Sequence, residues 1–164
     1  MSSYVAGCLI GLSVYISRQT EAPWNAILFG VGLLTICACK LPLFTGKVGE
    51  LRIRSANDLL DIVLMLIFNW CGAVTFGFLS TVCPEDLFAG IVCGTLIQMA
   101  VALYQKHPWA VVYCITAFIM AGGKHCIAMM VFPANVTPWT LAQVVCGNIL
   151  GAVFAAAGGV RRNK

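Results

Sequence analysis

The feature that most constrains this chain is the length of its uncharged runs. Residues 1–17, 22–39, 62–84, 87–105, 108–123 and 126–160 contain no Asp, Glu, Lys or Arg. A helix needs roughly 20 mostly apolar residues to cross a bilayer, so most of these runs are of spanning length or close to it. The last is too long for one helix and holds "FPANVTPW", a natural turn. Only 10% of the 164 residues are charged, against about 25% in soluble domains, and mean hydropathy is +0.92. These numbers exclude a water-soluble fold and imply an all-α membrane protein, a single channel-sized domain over 1–164.

Six transmembrane helices are expected, at roughly 3–18, 24–50, 57–82, 85–105, 109–132 and 138–160. Pro23, Pro84, Pro108 and Pro138 stand near four of the starts, where a missing N–H costs nothing. Before the third span, "SANDLLD" offers Ser55 or Asn57 as N-cap, with Asp58 and Asp61 as helix-start residues beside the positive end of the dipole. Short loops force successive helices to alternate direction. Arg52, Arg54, Lys106, Arg161, Arg162 and Lys164 then share one side, and the other side carries only Arg18. The positive-inside rule places both termini in the cytoplasm of a multi-pass protein of the cell (inner) membrane. The same rule accounts for the net charge of +4 without nucleic acid. "SYVAGC" resembles a lipoprotein cleavage box at Cys8, but no basic segment precedes it. The nine cysteines are scattered without a C-x-x-C pair. No metal, cofactor or enzymatic thiol chemistry is therefore expected.

The two halves of the chain, 1–83 and 84–164, resemble each other. "YVAGCLIGL" at 4–12 matches "LFAGIVCGT" at 87–95, "APWNAILF" at 22–29 matches "HPWAVVYC" at 107–114, and "NWCGAV" at 69–74 matches "NILGAV" at 148–153. Three spans per half give the halves opposite orientation, a 3+3 inverted repeat. In such architectures, paired interrupted helices mark the substrate pathway. The second span breaks at "CKLPLFTGKV" and the fifth at "MAGGKHCI", with Lys40 and Lys124 one at each break. Intramembrane charge is costly and usually functional. Lys40, Lys124 and His125 are thus candidate pathway residues.

"AGCLIGL", then "LFTGKV", then "GGKHCIAMM", in that order, resemble the formate/nitrite transporter family of anion channels. The resemblance implies an aquaporin-like fold assembled as a homopentamer, with one pore per subunit. It implies transport of small monovalent anions such as formate, nitrite or hydrosulfide, with protonation of the anion near a central histidine. That histidine falls on His125, the family's loop threonine on Thr45, and the sixth-helix asparagine on Asn148. An outer hydrophobic constriction falls on Phe29, Leu33 and Phe118, and an inner one on Leu43, Phe44 and Ile97. The physics agrees with such a design. A bare anion pays a large desolvation penalty in an apolar constriction and its neutral conjugate acid far less. Histidine exchanges protons near neutral pH.

The sequence also departs from the family pattern. Lys124 stands where an acidic residue precedes the central histidine, and Pro42 where another precedes "LFT". The fourth-helix asparagine appears as Gly94, and the family's basic residue near that helix's start has no counterpart in "STVCPEDLFAG". Three other functions compete: a neutral-solute channel, a membrane thiol oxidoreductase, and a non-transporting assembly subunit. Asn69 and Asn148 flank Gly-Ala-Val packing motifs, so an interhelical hydrogen-bonding role competes with a pore role for both.

Overall fold

A computed structural model of the chain describes residues 1–49 and 55–161. Arg52, Arg54, Arg162 and Lys164, which contribute to the orientation argument, lie outside the described residues, as does the predicted end of the second span at 50. The described residues form seven α-helices and two 3-10 turns, with no strand among them. The helices are α1 (Ser2–Arg18), α2 (Trp24–Ala38), α3 (Phe44–Val48), α4 (Ala56–Val82), α5 (Glu85–Leu103), α6 (Ala110–Met120) and α7 (Pro138–Ala157). The 3-10 turns are Ala128–Val131 and Pro133–Asn135. Three helices, α4, α5 and α7, are long and apolar enough to cross a membrane, and α2 and α6 are apolar but shorter.

Local chemistry sets the helix starts. Ser55, not Asn57, caps α4: its side chain accepts the Asp58 N–H at 3.2 Å, while the Asp58 carboxylate accepts the Ser55 N–H at 2.9 Å. This reciprocal box satisfies two of the four donors that a helix start leaves unpaired. Thr137 caps α7 with a single such bond, its side chain accepting the Thr140 N–H at 3.0 Å, and Pro138 takes the first helical position. Past the second break the chain differs from a resumed helix. After "GGKHC" the backbone forms 3-10 turns rather than α-helix, limited by Gly122 at φ 71 before it and Pro133 after it.

Two helices form the centre. α1 buries Val5, Leu9, Leu12 and Ile16, and α5 buries Phe88, Val92, Leu96 and Met99. α1 packs against α2 and α4, and α5 packs against α6 and α7. Glycine makes the closest of these approaches possible. A Cβ on Gly7 would sit 2.0 Å from the Asn69 carbonyl oxygen, and one on Gly72 would sit 2.0 Å from the Tyr4 oxygen. In the second half, Gly94 and Gly151 approach Asn148 and Ile91 in the same way, at 2.2 and 2.3 Å. Small residues let membrane helices pack backbone to backbone, where side-chain hydrophobicity gives no advantage over lipid.

These contacts correct the register of the sequence match. Tyr4, Gly7 and Cys8 in α1 take the places of Ile91, Gly94 and Thr95 in α5, one helical turn beyond the alignment of "YVAGC" with "LFAGI". The physical reason is a degenerate pattern. Gly7 and Gly11, like Gly90 and Gly94, are four residues apart, so a one-turn shift lays glycine on glycine again and keeps the same face.

The ends of the bundle are identifiable from contacts. Tyr15 of α1, Phe76 of α4 and Phe88 of α5 form a cluster of edge-packed rings with centroids 5.1 to 6.5 Å apart. At the other end, Tyr4 packs on Phe154, and Gln98 donates to the Val160 carbonyl at 2.8 Å. The start of α1 therefore lies with the ends of α5 and α7.

Gly72→Ala should lower thermal stability in detergent by about 1–3 kcal/mol through overpacking. Gly77→Ala, on the same helix with nothing within 4 Å of the added methyl, should be neutral or stabilising. Equal effects at the two positions would contradict the close α1–α4 contact.

Candidate functional site

Each interrupted helix ends in the same way. In α2 the Cys39, Lys40 and Leu41 N–H groups donate to the carbonyls of Thr35, Cys37 and Ile36 at 2.9, 3.2 and 2.9 Å. In α6 the Ala121, Gly122 and Gly123 N–H groups donate to Ala117, Ile119 and Phe118 at 3.0, 3.2 and 2.8 Å. Both ends turn on a left-handed residue, Lys40 at φ 55 and Gly122 at φ 71. The 6→1 bond across such a residue is the usual way a helix closes its last carbonyls. Glycine suits that position, and lysine does not.

Beyond each end the chain runs into an asparagine. The Asn69 Oδ1 of α4 accepts the Phe44 N–H at 2.8 Å, and its Nδ2 donates to the carbonyls of Pro42 and Ser3 at 3.2 and 2.6 Å. The Asn148 Oδ1 of α7 accepts the Cys126 N–H at 3.0 Å, and its Nδ2 donates to Lys124 and Gly90 at 2.9 and 3.0 Å. Each carboxamide thus joins a break, its own helix and the start of a central helix. The two sets correspond residue by residue: Pro42 with Lys124, Phe44 with Cys126, Ser3 with Gly90. By this geometry Lys40 corresponds to Gly122, so Lys40 and Lys124 are not counterparts. The spacing of the lysines suggested a pair because each sits within two residues of the true match.

The second break carries the charge. The Lys124 N–H donates to the Ala89 carbonyl at 3.1 Å, a bond that Pro42 cannot make at the first break. Its ammonium pairs with Asp86, at the start of α5, with Nζ to Oδ1 of 2.5 Å. Asp86 escaped the sequence reading. No sequence spacing links it to Lys124, 38 residues away, and only the packing of the break against α5 brings the two together.

His125 shapes the turn that follows. Its Nδ1 accepts the N–H groups of Ile127 and Ala128 at 3.2 and 3.4 Å, and its carbonyl accepts the Met129 N–H at 3.0 Å. An accepting Nδ1 means a neutral ring with its proton on Nε2. In this arrangement His125 offers an N–H donor.

The remaining predicted residues are dispersed. Thr45 is exposed on α3. Leu43 and Phe118 pack against the apolar core, and Phe44 and Ile97 are half-buried. Phe29 and Leu33 lie on an outer face of α2, 38% and 43% exposed. A cavity of about 330 Å³ lies between α1, α4, α5 and α7, lined by Leu9, Leu12, Phe76, Leu87 and Ile91 among other, mostly apolar, residues. None of the predicted pathway or constriction residues lines it. A second cavity, of about 180 Å³, includes Lys40. Among the described residues no group of three or more His, Cys, Asp or Glu side chains is placed to hold a metal ion.

No protein-family model matches the chain, no curated protein matches it, and no solved structure matches it.

Asn148→Ala would remove the partner of the Cys126 N–H and of the Lys124 carbonyl in a partly buried site, at about 1–3 kcal/mol for each group left unsatisfied. Its melting temperature should fall well below that of Cys146→Ala, a change at an exposed residue of the same helix. Similar values for the two variants would remove the asparagine's bridging role. For the ion pair, a double-mutant cycle over Asp86→Ala and Lys124→Ala should give a coupling of about 1 kcal/mol, as expected of a partly exposed pair. The exchange Asp86→Lys with Lys124→Asp should recover most of it, and additive single effects would argue against a pair.

Proposed function

We propose that the chain is a channel subunit for small monovalent anions, with six membrane crossings arranged as an inverted 3+3 repeat. The observation that carries this reading is the matched pair of helix breaks, each held by an asparagine. α2 and α6 are too short to cross a bilayer alone, and each ends in non-helical backbone that α4 or α7 ties down. Irregular backbone at membrane depth is tolerated where it is buried in protein or lines a cavity. Paired breaks in two inverted halves are the signature of a substrate route between them.

In this reading the second break recognises the anion. Lys124 supplies attraction tempered by Asp86, and the His125 Nε2–H donates to an anion oxygen. Proton delivery from an imidazolium is coupled to opening the 3-10 turn, because Nδ1 must release Ile127 and Ala128 first. Asn148 is a positioning residue that fixes the Lys124 and Cys126 backbone, and Thr45 follows the corresponding backbone at the first break. Phe29 and Leu33 need a neighbour to become a constriction with Phe118. Their exposure on the outer face of α2 supports assembly with further copies, a homopentamer by the resemblance. Both termini lie on the cytoplasmic side of the inner membrane.

The Lys124–Asp86 pair favours one second reading, a channel for neutral polar solutes, because it leaves the break close to electrically neutral. Proteoliposome flux separates the two. Formate, nitrite and hydrosulfide should pass faster than urea or glycerol, with uptake rising as external pH falls. His125→Ala should slow anion flux about ten- to a hundred-fold, the value of a hydrogen bond to a charged group. Lys124→Glu should slow it while leaving any urea leak unchanged. Urea permeation exceeding formate, or anion flux indifferent to both substitutions, would overturn the anion reading.

A further inference from the structure

Lys40 gains a different role once it is separated from Lys124. The two lie near opposite ends of α5, about 25 Å apart at the rise of an α-helix. Lys40 lines the cavity of about 180 Å³ together with Lys106 and Arg161. These cations come from the end of α2, the chain just after α5 and the chain just after α7. The fold, rather than local sequence, brings them together, and among the described residues no carboxylate lines the cavity.

Cations beside helix ends often only complement the dipole. Arg161 does this in part, since its Nε donates to the Ala156 carbonyl at 2.5 Å, which leaves its terminal nitrogens as donors. Lys40 is not explained that way. It occupies a left-handed position that glycine fills at the corresponding break. A side chain held in a disfavoured backbone region points to a use for that side chain.

We infer that this cavity binds a phosphate-like anion, presented by an anionic lipid headgroup or as free phosphate. Basic pockets between membrane helices commonly take such headgroups. Three cations with no acid among them match a multiply charged oxyanion better than formate or nitrite. The volume admits a phosphate group with several waters, at about 30 Å³ each. The inference does not depend on the channel reading, because the cavity is remote from His125 and shares none of its residues.

The test uses the full chain purified in an uncharged detergent. Its melting temperature is followed in inorganic phosphate against chloride at constant ionic strength, and in phosphatidylglycerol against phosphatidylcholine. A saturable rise with phosphatidylglycerol alone identifies a lipid headgroup, and one with phosphate alone a free anion. A rise with both supports the shared chemistry. Lys40→Gly and Lys106→Gln should each weaken apparent affinity about five-fold, whereas Lys40→Arg and Lys106→Arg should retain it. Lys40→Gly relieves the backbone conformation, so its loss of binding cannot be ascribed to misfolding. No stabilisation beyond chloride and phosphatidylcholine, or unchanged affinity in Lys40→Gly and Lys106→Gln, would overturn the proposal.

Discussion

Two carboxamides hold this structure together. Ending a helix inside a packed apolar bundle leaves backbone groups with no water to satisfy them, at about 1–3 kcal/mol each. Asn69 and Asn148 each give a break one acceptor and one donor, and a central helix a second donor, with partners at 2.6 to 3.2 Å. Because each also bonds the start of α1 or α5, the break is fixed relative to the central helix as well as to its own neighbour. The glycine contacts follow from the same requirement. Gly7 and Gly94 let the asparagine backbones come close enough for the side chains to reach across.

The charges at the second break obey a local balance. Lys124 beside a histidine looks like an added cation when read alone, yet Asp86 neutralises it from α5. That leaves His125 as a hydrogen-bond donor whose tautomer is set by the turn it caps. The ring is thereby tied to the start of the 3-10 segment between His125 and Asn135.

Much of this was legible in the sequence. The uncharged runs and the prolines marked the starts of α1, α2, α4, α5, α6 and α7 within a few residues, and "CKLPLF" and "MAGGKH" marked both interruptions, whereas the second and fifth spans were drawn about twelve residues past the ends of α2 and α6. The Gly-Ala-Val motifs marked α4 and α7 as packing helices. The register of the repeat was not legible, because glycines spaced by one turn align equally well in two ways. Nor was the partner of Lys124, since an ion pair between residues 38 apart is a product of packing. The exposure of Phe29 and Leu33 on α2 was not legible either, since an apolar helix carries no pattern that separates its covered face from its open one. Lys40 shows the opposite case, in which sequence spacing suggested a symmetry that backbone geometry replaced by Gly122.

The central claim is that the break around His125 lines an anion route. Cys126 reports on it directly, being half-buried within the break, whereas Cys114 is buried inside α6. In a variant retaining Cys126 as its sole cysteine, reconstituted in liposomes, a small anionic thiosulfonate reagent should modify it. Formate or nitrite should slow that reaction by competing for the route, and a sole Cys114 should stay unmodified. A Cys126 that is inert to the reagent, or modified at a rate no permeant anion alters, would contradict the account.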